Sequence, residues 1–153
     1  MICYAVIDTN VLVSALLSSH NDAATVQVVS RVFSGEIIPM FSAEILAEYR
    51  EVLHRKKFLF SEDLISVLLD TFDKYGICIE PASSGEILPD RKDLPFYEVV
   101  LEMQEEDAYL VTGEYKTFSY KTVYCDSKSD AGYFGRKKIT RYKRISIYPL
   151  SYF

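Results

Sequence analysis

Short, nearly continuous apolar runs alternate along this chain with longer amphipathic segments, and this alternation constrains the fold more than any other feature. Runs of this kind are typical of strands that are buried on both faces of a sheet. They lie at 1–7, 36–41, 77–80 and 108–112, and a last one lies at 144–150. Because helical segments separate the strands, we predict right-handed crossovers and an α/β fold, namely a three-layer α/β/α sandwich around a central, mostly parallel sheet.

The helical segments carry recognisable start and stop signals. Ser42 and Ser61 are good N-caps, Gly35 and Gly76 follow helical patterns that they end, and Pro95 stands in a first turn, where proline is tolerated. The predicted helices cover 10–17, 23–34, 42–57, 61–75 and 94–106.

Length and composition indicate one domain, 1–153, without an internal repeat or a flexible linker. No leader pattern and no bilayer-spanning apolar run occur, so the expectation is a cytoplasmic protein that does not enter a membrane. The two histidines are far apart, the three cysteines form no CxxC motif, and no Walker A glycine loop is present. These absences argue against a zinc site, a disulfide framework and a P-loop nucleotide site.

Four acidic residues follow predicted strands, and their positions suggest a common site. Asp8 ends the first strand, Glu48 lies on the helix after the second, Asp93 opens the helix after the third, and Glu114 follows the fourth. In parallel α/β sheets, sites lie outside the carboxyl ends of the strands. We therefore expect these four carboxylates to converge, with Glu44, one turn before Glu48, in support.

Each of these acids also has a purely structural interpretation. Asp8 could cap the helix at 10–17, which would stabilise it by about 1 kcal/mol. Asp93 could cap the helix that carries Pro95, and Glu114, which follows Gly113, could be an ordinary turn residue. Glu48 borders the apolar stripe of its helix, whereas Glu51 falls nearly opposite that stripe and is expected on a solvated face.

Converging carboxylates repel one another unless a cation lies among them. Oxygen ligands without His or Cys favour Mg²⁺ or Mn²⁺, which can activate a water molecule for attack on a phosphodiester. The four acids thus predict metal-assisted phosphodiester hydrolysis. The Asn10 amide and the Thr112 hydroxyl are expected to orient a water or a carboxylate in such a site.

Four ordered blocks of the sequence resemble the PIN domain, and among its branches the VapC-like toxins of toxin–antitoxin systems. The blocks are VIDTNVLVSALL (6–17), SAEILAEYREVL (42–53), DLPFYEVV (93–100) and DAYLVTGEYKTF (107–118). The resemblance implies a PIN-like fold, an Mg²⁺- or Mn²⁺-dependent endoribonuclease and a cognate antitoxin as partner, and it leaves a homodimer possible. It places the family's acidic residues on Asp8, Glu48, Asp93 and Glu114, and the strand-end threonine on Thr112.

The charge of the chain is unevenly distributed. Residues 1–114 hold 8 Lys+Arg and 20 Asp+Glu, a formal charge of −12, whereas residues 115–153 hold 9 and 2, a formal charge of +7. The basic, tyrosine-rich stretch at about 115–144 is interpreted as an insertion or extension. It could bind single-stranded RNA, with Arg136, Lys137 and Lys138 on phosphates, or it could be a solvated hairpin or a surface for an acidic partner.

A second function class stays open beside the ribonuclease. A PIN-like module that has lost most or all of its catalytic activity would bind RNA or a protein without metal-dependent cleavage. Loss of cleavage on replacing Asp8 would separate the two, because only the enzyme needs that carboxylate for chemistry.

Overall fold

The structure, a computed structural model, describes residues 2–88, 90–103 and 108–112 and the backbone of three further strands at 132–134, 137–139 and 146–149. Glu114 and Arg136 lie outside the described residues, and the side chains of Lys137 and Lys138 are likewise not described. Within the described part of the chain, no helix is both long and apolar enough to cross a membrane.

A parallel sheet forms the centre of the molecule. Its strands, numbered in chain order, are β1 (Cys3–Ile7), β2 (Ile37–Phe41), β3 (Ile77–Cys78), β4 (Tyr109–Thr112) and β7 (Ser146–Pro149). Strands β5 (Gly132–Phe134) and β6 (Lys137–Ile139) pair with each other in antiparallel fashion. The order in the main sheet is β3-β2-β1-β4-β7, and every pairing in it is parallel, which confirms the predicted α/β sandwich.

The burial of β1 shows that both faces of the sheet are covered. Ala5, Val6 and Ile7 are each at most 1% exposed. Because successive residues of a strand point to opposite faces, this run packs against other elements on both sides. The continuous apolar pattern read from the sequence has this physical origin.

In the described part of the chain, five α-helices connect and cover the strands. They are α1 (Thr9–Leu17), α2 (Ala24–Ser34), α3 (Ala43–Leu53), α4 (Glu62–Tyr75) and α5 (Leu94–Glu102). The predicted caps are confirmed: the Ser42 hydroxyl accepts from the Ile45 N–H, the Ser61 hydroxyl accepts from the Leu64 N–H, and Gly35 ends α2 in the left-handed conformation.

The core lies between these helices and the sheet, and Tyr49 of α3 is among its largest fully buried side chains. Its ring meets Phe72 of α4 edge-on at 5.5 Å and lies 6.3 Å from Phe96 of α5. These two ring contacts join α3 to α4 and to α5, which fixes the helix that carries Glu48.

Several predicted boundaries were wrong. The helix expected over 42–57 ends at Leu53, because His54 leaves helical geometry and the chain turns toward α4. The helix expected to reach 106 ends at Glu102, and the strand expected over 77–80 covers only Ile77–Cys78. The expected loop at 81–93 closes with a 3₁₀ turn over Arg91–Asp93.

Candidate active site

The register of the central strands brings Asp8 and Thr112 together. Ile7 of β1 lies beside Val111 of β4 in the parallel pair, so the next residue on each strand meets at the carboxyl edge of the sheet. The Thr112 hydroxyl donates to Asp8 Oδ2 at 2.8 Å, and the Asp8 N–H donates to the Val111 carbonyl at 2.9 Å. Thr112 is only 4% exposed, so this contact is shielded from solvent.

Asp8 also caps α1, so its structural and its functional interpretation are compatible. Its Oδ1 accepts from the Asn10 N–H at 3.0 Å, while its Oδ2 accepts from Thr112. Each carboxylate oxygen has a second lone pair, and both oxygens therefore keep acceptor capacity for another ligand. The two hydrogen bonds fix the orientation of the carboxylate and leave one lone pair on each oxygen for another ligand.

Glu48 is held in a corresponding way by the residue after Asp8. The Thr9 hydroxyl, itself 4% exposed, donates to Glu48 Oε1 at 2.6 Å. This distance is typical of a charge-assisted O–H···O⁻ hydrogen bond. It joins the start of α1 to the middle of α3 and places Glu48 beside Asp8 in the site. The sequence analysis assigned no role to Thr9. The available signal was a second hydroxyl residue directly after the strand-end acid.

Asp93 reaches the same site from the 3₁₀ turn before α5. Its backbone N–H donates to the Asp90 carbonyl at 3.3 Å, and its side-chain Oδ2 is buried. The structural alternative for Asp93 is wrong, because its side chain makes no capping hydrogen bond to α5. The capping residue of this turn is Asp90, whose Oδ1 accepts from the Lys92 N–H at 2.9 Å.

A cleft of about 400 Å³, which we call the carboxylate cleft, joins these groups. Asp8, Glu48 and Asp93 all line it, together with two acids that the sequence analysis did not select, Glu51 and Asp90. Two cations, Arg55 and Lys92, line it as well. The prediction that Glu51 lies on a solvated face is confirmed, because its side chain is exposed, and this exposed side chain also borders the cleft.

Of the residues predicted to support the site, Asn10 lies at the cleft and Glu44 does not line it. Thr9 and Asn10 line the carboxylate cleft, and Thr112 contacts it through Asp8. Glu44 is exposed in the first turn of α3 and is not one of the residues that line the cleft.

The charge of the site acts on the buried tyrosine behind it. The Tyr49 hydroxyl donates to the Ile7 carbonyl, directly before Asp8. Burial raises the pKa of this phenol well above its ordinary value, and the negative charges of Asp8 and Glu48 raise the pKa further. The phenol therefore stays protonated and keeps β1 attached to α3 beneath the cleft.

The donor chemistry of the cleft suits a hard divalent cation, since carboxylate oxygens are the ligands that Mg²⁺ and Mn²⁺ prefer. Among the residues that the structure describes, however, no group of three or more His, Cys, Asp or Glu side chains is arranged to hold a metal ion. Glu114, the fourth predicted ligand, is outside that part of the chain. The described acids thus provide suitable ligand types but not, by their arrangement alone, a complete metal site.

Comparison with protein families identifies the chain. Searches among curated proteins and among solved structures give no significant match. The family model described as PIN domain matches residues 4–116, which include Asp8, Glu48, Asp93 and Glu114. The match covers well over half of the 153 residues, and the chain therefore belongs to the PIN domain family.

Proposed function

We propose that the protein is an Mg²⁺- or Mn²⁺-dependent endoribonuclease that hydrolyses phosphodiester bonds of RNA. The PIN domain is generally a nuclease fold, and its members usually depend on a divalent metal. The observation that carries the proposal is the position of Asp8, Glu48 and Asp93 on one cleft at the carboxyl edge of the sheet. These acids come from three elements that are far apart in sequence. If each acid served only as a helix cap, the three would have no reason to meet at one cleft.

In this proposal Asp8, Glu48 and Asp93 would hold the metal, with Glu114 as a fourth ligand. When bound, Mg²⁺ or Mn²⁺ supplies positive charge for the phosphate oxygens and lowers the pKa of a coordinated water. Thr112 and Thr9 keep Asp8 and Glu48 in fixed orientations through their hydroxyl groups. The Asn10 side chain, exposed at the mouth of the cleft, is placed to orient water or substrate.

The wider biological role follows from the resemblance of the four sequence blocks to VapC-like toxins. We propose that the protein is the toxin of a toxin–antitoxin pair, acts on RNA in the cytoplasm and is neutralised by a cognate antitoxin. We further propose that 1–153 form a single domain, and the resemblance leaves a homodimer open. Co-purification of the co-expressed neighbouring gene product, and the molar mass of the purified protein, test these points.

The second candidate is a PIN module that binds RNA or a protein with little or no catalysis. The observation that favours it is that the described acids form no group arranged to hold a metal. The same experiment decides between the two candidates.

The deciding experiment compares wild-type protein with Asp8→Asn and with a matched control, Asp73→Asn. Asparagine is a good N-cap, so Asp8→Asn keeps the start of α1 while removing the carboxylate. Asp73 is exposed on α4 and does not line the cleft. Single-stranded and structured RNA are incubated with each protein in Mn²⁺, in Mg²⁺ and in EDTA.

We expect metal-dependent cleavage by wild type and by Asp73→Asn, and a loss of about 100-fold or more in Asp8→Asn, because metal-ion catalysis contributes several kcal/mol. Equal cleavage by all three proteins would indicate a contaminating nuclease. RNA binding without cleavage in any of them would favour the binding module.

A further inference from the structure

Two of the few cations of the acidic part of the chain line the carboxylate cleft. Residues 1–112 contain eight Lys and Arg residues, and five of them fall in two short segments, 55–57 and 91–92. One member of each segment, Arg55 and Lys92, lines the cleft. Two cations from separate segments of the chain thus lie at the cleft that also carries Asp8 and Glu48.

Arg55 presents its guanidinium in a geometry that suits a phosphate. Its Nε donates to Glu51 Oε1 at 3.0 Å and its Nη2 donates to Glu51 Oε2 at 3.1 Å. This bidentate arrangement is the one in which arginine also binds phosphate oxygens. The Glu51 carboxylate therefore stands where two oxygens of a phosphodiester would be bound.

The ion pair between Arg55 and Glu51 is easily exchanged. The side chains are 45% and 63% exposed, and exposed ion pairs contribute little to stability. An incoming phosphate can replace the carboxylate, and Glu51 can return to water without a large desolvation penalty.

Lys92 lines the carboxylate cleft together with Glu51. The hydrogen bond from Arg55 lowers the pKa of Glu51, and the positive charges of Arg55 and Lys92 lower it further. The side chain of Lys92 is exposed, and its backbone is fixed by the hydrogen bond to Asp90. Two positive charges thus act on one exposed position at the margin of the cleft.

We propose that Arg55 and Lys92 form a binding subsite for a phosphate of single-stranded RNA, and that Glu51 holds Arg55 in position until this phosphate displaces it. The inference rests on the proposed function and names the residues that bind its substrate next to the carboxylates. The subsite offsets the repulsion that five cleft acids exert on an RNA chain. Glu51 in turn competes with the phosphate and weakens RNA binding in the wild-type protein.

The test measures RNA binding separately from cleavage. Fluorescence anisotropy of a labelled single-stranded RNA gives the Kd in Asp8→Asn protein with Mg²⁺, at several KCl concentrations, and gels verify that the RNA stays intact. Into this background we introduce Glu51→Gln, the pair Arg55→Gln with Lys92→Gln, and the control Lys74→Gln. Lys74 is an exposed cation on α4 that does not line the cleft.

The double variant should bind RNA about tenfold or more weakly, and the slope of log K against log salt should fall by about 1.4, or about 0.7 for each lost phosphate contact on a single strand. Glu51→Gln should bind severalfold more tightly than its parent, a gain that a folding defect cannot imitate. Lys74→Gln should match the parent protein. An unchanged slope in the double variant, or weaker binding by Glu51→Gln, would overturn the subsite.

Failure of the subsite can be told apart from failure of the proposed function. Wild-type protein that cleaves RNA, combined with an unchanged salt slope in the double variant, refutes the subsite alone. Wild-type protein that does not cleave, combined with the predicted loss of slope, refutes the hydrolase and supports the subsite within an RNA-binding module.

Discussion

Two threonine hydroxyls determine how the central carboxylates of the cleft are presented. Thr112 bonds to Asp8 and Thr9 bonds to Glu48, and each threonine is almost completely buried. A free carboxylate on a helix rotates among several rotamers, and ordering it has an entropic cost. Because these hydrogen bonds already restrict the side chains, a ligand that binds both carboxylates does not have to order them.

Replacing Thr9 tests this positioning role. Thr9→Val has nearly the same shape but removes the hydrogen bond to Glu48, and we expect Mn²⁺ affinity to fall about tenfold or more, as for other partners of metal ligands. Thr9→Ser retains a hydroxyl and should restore most of the affinity. Isothermal titration with Mn²⁺ gives the binding constants without reference to cleavage.

Equal Mn²⁺ binding by the valine and serine variants would contradict the role of the Thr9 hydroxyl. Thermal unfolding of both variants serves as the control. A structural role alone would lower the unfolding temperature of Thr9→Val without separating the two variants in metal affinity.

Among the secondary-structure elements, the position of α3 on β1 decides where Glu48 lies. The junction is the hydrogen bond from the buried Tyr49 hydroxyl to the carbonyl of Ile7, the residue before Asp8. Glu48 precedes Tyr49 on α3, so one contact sets the distance between the helix acid and the strand-end acid.

We therefore predict that Tyr49→Phe lowers the free energy of unfolding by about 1–3 kcal/mol, because it leaves a buried carbonyl without its donor. The pKa of Tyr49 is raised in the folded state, so the folded protein keeps a proton that the unfolded chain loses above a pH of about 10. The stability that this phenol contributes is complete below that pH and is lost as the pH rises further. Above a pH of about 10, the free energy of unfolding of wild type should thus fall more steeply with pH than that of Tyr49→Phe.

Urea unfolding between pH 7 and pH 11 measures both effects. Tyr75→Phe is the matched control, because Tyr75 is 60% exposed at the end of α4. Parallel curves for wild type and Tyr49→Phe above pH 10 would contradict the proposed proton linkage.

The elements themselves were largely predictable, and the errors have physical causes. Continuous apolar runs identified the strands, and serine caps identified the starts of α3 and α4, because both signals are local. The end of α3 was missed because residues 55–57 have good helix propensity. Packing of α4 against α3 overrides it, and the connecting turn includes Leu59 with a φ of 56°.

The candidate site was predictable only in part. Strand-end acids follow from topology, so Asp8, Glu48 and Asp93 could be selected from the sequence, and all three line the carboxylate cleft. The pairing of Thr9 with Glu48 and the position of Lys92 beside Glu51 depend on distances between elements, which periodicity does not encode. Glu51 illustrates the limit: helical geometry correctly indicated an exposed side chain but not which neighbouring loop it would face.

For the whole molecule, the basic stretch at 115–144 remains a predicted RNA-binding region. Replacing all three of Arg136, Lys137 and Lys138 by Gln should weaken RNA binding. The slope of log K against log salt should fall by about 0.7 for each phosphate contact removed. The measurement is the same anisotropy titration, with Lys74→Gln as the control. A salt slope equal to that of the parent protein would exclude these three residues from the RNA interface.

The hydrogen bond between Asp8 and Thr112 joins residues that are 104 positions apart in the sequence. During translation the N-terminal part of a chain emerges first, so β1 can meet β2 long before β4 exists. A nascent chain that has not yet reached residue 112 therefore lacks β4, the second neighbour of β1, and the hydroxyl that orients Asp8. The carboxylate cleft therefore acquires an oriented Asp8 only after β4 has been synthesised.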